Sequence, residues 1–91
     1  MSQEPFARQV TGDLDVTGNV NAGSLTGDGT LLTHGHVYLV EQGADPADPV
    51  EGQSCIWQSD GTGAGDDGDI LVKITAGGST KTATLVDFSA V

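Results

Sequence analysis

Residues Val10–His36 read VTGDLDVTGNVNAGSLTGDGTLLTHGH. The segment opens with a hexapeptide written twice, VTGDLD (Val10–Asp15) and then VTGNVN (Val16–Asn21). Val, Thr and Gly repeat unchanged, while Asp13 becomes Asn19, Leu14 becomes Val20 and Asp15 becomes Asn21. Apolar side chains fall at Val10, Leu14, Val16, Val20, Leu25 and Leu31. Those from Val10 to Val20 share even parity, so an extended chain presents them on one face. Gly12 and Gly18 let the backbone bend between short strands. No run of helix formers interrupts the pattern. Two copies of so short a unit cannot stack into a self-capping solenoid. The repeat therefore needs partners. Three chains wound about a common axis would satisfy it, each supplying one wall of a narrow apolar prism with these residues as the trimer core.

Composition leads to the same place. The chain has 91 residues, 14 of them glycine, and only 36% are hydrophobic. A core this small rarely sustains a fold without disulfides, metal or oligomerisation. Cys55 is the only cysteine, so an internal disulfide is excluded. Met1 and the short length are read as a complete small gene product, with room for a stalk and a small domain. Neither a basic–apolar leader nor a long apolar run is present, so the expectation is cytoplasmic synthesis and no membrane partner. The formal net charge is -10, and Arg8, Lys73 and Lys81 are the only Lys or Arg residues. They cannot form a phosphate-binding stripe, so no nucleic-acid partner is expected. The acidity suits a solvated surface.

The flanking sequence completes the organisation. Residues 1–9 (MSQEPFARQ) are polar and are read as a docking segment in which Phe6 and Arg8 reach a partner. A frayed terminus is the alternative. Residues 10–36 are the stalk. After it comes an extended run, Val37–Val40, and then a loop, Glu41–Gln53, carrying Pro46 and Pro49. Ser54–Ser59 reads as a strand, Asp60–Gly68 as a Gly/Asp turn, and Asp69–Thr75 as a β-branched strand. Ala76–Ser79 is a turn and Thr80–Phe88 an alternating closing strand. The expected fold class is all-β: a short intertwined trimeric β stalk, β-prism or triple-β-helix-like, followed by a small antiparallel β-meander knob over residues 37–91.

Gly18–Ser24 followed by Leu25–Thr33, GNVNAGSLTGDGTLLT, resembles the "GNV.A..L.GDG..LT" phrase of bacteriophage fibre and spike stalks. Leu31 departs from it, standing where a small residue is common. The C-terminal segment is similar, more loosely, to the small knobs of phage fibre proteins. The likeness rests on its Pro/Gly-rich lead-in, Trp57 on the first strand and a hairpin ending KTATL (Lys81–Leu85). This resemblance implies a non-enzymatic homotrimeric virion protein, a capsid decoration or head fibre docked on the major capsid or another virion protein. The alternative it implies is a tail-fibre tip that binds a host receptor or glycan, with Tyr38 and Trp57 as ligand surface.

The residues that could carry chemistry are few. In a strand, His34 and His36 point the same way. On a threefold axis their imidazoles would offer six nitrogens, which suit octahedral Fe(II), Co(II) or Ni(II) better than tetrahedral zinc. The resemblance points to iron, since His-x-His pairs are iron sites in phage spike and fibre trimers. Such an ion would staple chains and not catalyse. The alternative is two metal-free histidines, at the surface or packed across the axis. Asp60, Asp66, Asp67 and Asp69 are either calcium ligands or turn formers. Their spacing does not match a helix–loop–helix calcium loop, and Asp60-Gly61 and Asp67-Gly68 are turn dipeptides. Cys55 has no base at readable spacing, so an enzyme is not expected. Trp57, on the same strand parity as Cys55, is read first as core or interface filler.

Overall fold

The computed structural model describes residues 11–91, and the chain divides between Leu32 and Thr33 into two units. In the first unit the described residues form neither helix nor paired strand, and every one is exposed. Bends fall at Gly12, Thr17–Gly18, Gly23 and Asp28–Gly29, each at a glycine. The short strands expected of the repeat therefore find no ladder partner among the described residues.

The second unit is a four-stranded sheet in sequence order: β1 Glu41–Gln42, β2 Ser54–Ser59, β3 Ile70–Ala76 and β4 Ser79–Val86. A short 3-10 turn, Phe88–Ala90, follows. The regular structure of the described residues is nearly all strand, an all-β arrangement. β2, β3 and β4 form the expected antiparallel meander. The sheet as a whole is mixed, not antiparallel, because β1 pairs parallel to β2 through Glu41↔Gln58 and Gln42↔Ser59. Residues 43–53 cross the sheet before entering β2, and a crossover returns the chain in its original direction. The run Val37–Val40 forms no ladder; pairing begins only at Glu41.

The β3–β4 hairpin turns on Gly77 and Gly78, with φ of 61° and 80°. Positive φ at both central residues is the tight two-residue turn that matches strand twist. Glu51 caps it from across the loop, its carboxylate accepting from Gly77 N at 2.7 Å and Gly78 N at 2.9 Å. At the other end of the hairpin the register shifts between Ile70 and Leu71, bulging β4 at Leu85.

Cross-strand partners share a sheet face. One face holds Trp57, opposite Leu71, and Cys55, opposite Lys73. Residues 43–51 and 60–68 lie over it, leaving Trp57 5% and Leu71 2% exposed. Gly65 makes this approach possible: with φ of +79°, a Cβ there would stand 2.9 Å from Leu71 Cδ1. The opposite face carries Ile56, Ile74 and Val86, all exposed. β4 is a free edge, exposed along its whole length.

Candidate functional site

The covered face is organised by Lys73. It sits mid-strand in ILVKITA, on the same parity as Leu71, so its stem enters the core. Its ammonium emerges under the proline loop, donating to Pro46 O at 2.7 Å and Asp48 Oδ1 at 3.2 Å. It also lies 6.0 Å from the centroid of a Trp57 ring. Strand, loop and aromatic core are thereby joined by one side chain. Trp57 belongs to this core, so its ring is not presented for stacking on a sugar. Half-buried Cys55 is its neighbour on the same face.

The carboxylates of the Gly/Asp loop serve local geometry. Asp69 is buried, and its two oxygens accept from Asp66 N and Phe88 N, both at 2.9 Å. Asp45 accepts from Ala64 N at 2.9 Å, tying the proline loop to the glycine loop. Asp60 accepts from Thr62 N at 2.9 Å, and this backbone donor holds its carboxyl below the ordinary 3.8. A hydrogen bond with Asp67, and repulsion between the two carboxylates, raise Glu41 above its ordinary 4.5. Among the described residues no group of three His, Cys, Asp or Glu side chains is placed to hold a metal ion. Turn formation accounts for Asp60 and Asp69 directly.

These shifts have opposite signs in the pH dependence of stability. Glu41 holds its proton more tightly folded than unfolded, so its favourable contribution is present below 4.5 and is lost as pH rises through the raised value. Asp60 contributes above 3.8, and that contribution is lost as pH falls through its lowered value. Glu41→Gln should therefore melt higher than the parent protein at neutral pH, and the two melting curves should converge below 4.5. Both groups are fully exposed, so the difference is small; thermal melting from about pH 3 to about pH 8 measures it.

His34 and His36 are exposed, and the His36 ring lies 6.2 Å from Tyr38 at a tilt of 56°. One chain offers two imidazoles here, so any metal held by this pair would draw further ligands from other copies. Leu14, Val16, Val20, Leu25 and Leu31 lie in the first unit, all exposed, Leu25 at 81% and Leu31 at 83%. Phe6, Arg8 and Val10 fall outside the described residues.

The sequence reading missed Lys73, Glu51, Asp45 and the double acceptance by Asp69. A lysine at a core parity in an otherwise apolar strand was the available signal for the first. The others depend on contacts between loops far apart in sequence. Comparison with protein families, curated proteins and solved structures finds no match for this chain.

Proposed function

We propose that this chain is a non-enzymatic structural protein of a bacteriophage particle, a homotrimeric capsid decoration or head-fibre protein. One observation carries the reading. Leu14, Val16, Val20, Leu25, Leu31 and Leu32 are all exposed, along a segment with no secondary structure of its own. In a lone chain these side chains have no element of their own segment to pack on. Winding three copies together hides those side chains and lets each backbone pair with its neighbours. At about 25 cal/mol per Å² the shared burial supplies what one chain lacks. The phage-stalk phrase at Gly18–Thr33 gives the assembly its setting. Residues 1–9, with Phe6 and Arg8, dock it on the major capsid or another virion protein. His34 and His36 close the stalk, as an iron staple in the octahedral reading.

Tyr38, 88% exposed, favours a second reading as a receptor- or glycan-binding tail-fibre tip. One experiment separates the two. Purified protein is mixed with particles lacking it and, in parallel, with host cells, and each mixture is sedimented. Decoration is expected to bring it down with particles only; pelleting with cells alone would overturn decoration in favour of the tip. Elemental analysis of the same untagged preparation should find about one transition-metal ion per trimer, and none would retire the staple.

A further inference from the structure

We infer that the open face of the sheet is a contact surface between copies of this chain, packed against the sheet unit of a neighbour in the same assembly. In a sheet with one solvated face, the outward positions normally read polar. Here they read Ile56, Val72 and Ile74 through the middle, with Ile70 opposite Val86 at one end. Ile56 is 53% and Ile74 45% exposed. Charge points to a copy of this chain as the occupant. The protein carries -10 overall, yet the three long strands place no carboxylate on this face, and Glu41, opposite Gln58 on β1, lies at its edge. The one charge on those three strands here is Lys81, opposite Ile74, which makes no ion pair among the described residues. Two acidic molecules can meet here without opposing carboxylates on the patch. Lys81 is drawn to a neighbour that carries the same charge of -10.

Size sets the terms of the contact. Three strands about 4.8 Å apart and about six residues long make a patch of roughly 300 Å². An interface that holds on its own needs about 800 Å² per partner. The patch is too small to recruit a free copy, but sufficient between copies already held at high effective concentration. The inference thus rests on the trimeric stalk, and the contact should vanish when the stalk is broken.

Thiol labelling tests this on the full chain. Ile56→Cys is made in a Cys55→Ser background, with Thr62→Cys, in the exposed glycine loop, as control. Each is compared with the same protein also carrying Val16→Asp and Val20→Asp. The Ile56→Cys thiol should react about tenfold more slowly in the intact assembly than in the stalk-broken protein, while the Thr62→Cys thiol reacts equally in both. Ile74→Cys gives a second probe of the same face should Ile56→Cys disturb folding. A trimer whose Ile56→Cys and Ile74→Cys thiols label at the stalk-broken rate overturns the contact and leaves the stalk standing. A monomeric mass for the unsubstituted protein overturns the stalk, and this inference with it.

Discussion

Val16→Asp combined with Val20→Asp should convert the assembly to monomers. Light scattering or sedimentation equilibrium at micromolar concentration should give a mass of three times 9.2 kDa before substitution and 9.2 kDa after. Each substitution places a carboxylate where the proposed trimer buries a methyl-rich side chain, and threefold symmetry multiplies every replacement. Burying an unpaired carboxylate costs several kcal/mol, against about 2 kcal/mol gained from a buried valine. The sign of the association energy therefore reverses. The sheet unit should be untouched, because Val16 and Val20 lie in the other unit, so Trp57 emission should stay that of the folded protein. An unchanged oligomer mass would show that these side chains face solvent and would remove the main support for the stalk.

Replacing Lys73 should produce the largest loss of stability in the sheet unit. Lys73→Met keeps most of the stem over Trp57 but leaves Pro46 O and Asp48 without their donor. Asp48 is 68% exposed, so the ion pair itself contributes little. The decisive loss is the part-buried bond to Pro46 O, and an acceptor left unsatisfied costs about 1–3 kcal/mol. Lys73→Ala also strips packing from Trp57 and should cost more, about 2–4 kcal/mol in total. In a unit this small each kcal/mol lowers the melting temperature by about 4–8 °C. Denaturation followed by Trp57 emission should rank the proteins parent, Lys73→Met, Lys73→Ala. Lys81→Met, on the open face, should stay within about 0.5 kcal/mol of the parent. If Lys73→Met were as stable as the parent, the proline loop would be held by something other than this ammonium.

Local pattern made the three long strands legible. Ser54–Ser59 sets Ile56 and Trp57 between turn-rich flanks, Ile70–Ala76 is β-branched, and Gly77-Gly78 admits almost nothing but a tight hairpin. The shared parity of Cys55 and Trp57 also placed them on one face. β1 was hidden because a two-residue strand has no periodicity; it exists through its pairing with Gln58 and Ser59. Val37–Val40 carries strand-forming residues but finds no strand beside it, and propensity without a partner makes no ladder. The Gly/Asp loop was readable as a turn, but not the pairing of Asp69 with Phe88, which was read as the end of the closing strand and lies instead in the 3-10 turn after β4. Lys73 shows the same limit: its parity was visible, while the carbonyl that receives it belongs to a loop whose path composition does not fix.

The cap that Glu51 places on Gly77 and Gly78 fixes an order of events during synthesis. The proline loop leaves the ribosome ahead of the hairpin it must dock on. Its anchors at Lys73, Gly77 and Gly78 do not yet exist at that point. The crossover, and with it the parallel pairing of β1, can settle only after β3 and β4 have emerged and closed. The first unit is made earlier still. If the first unit trimerises as proposed, nascent chains on neighbouring ribosomes of one message hold it out before their sheets can fold. The proposed trimerisation would then have a head start over domain folding.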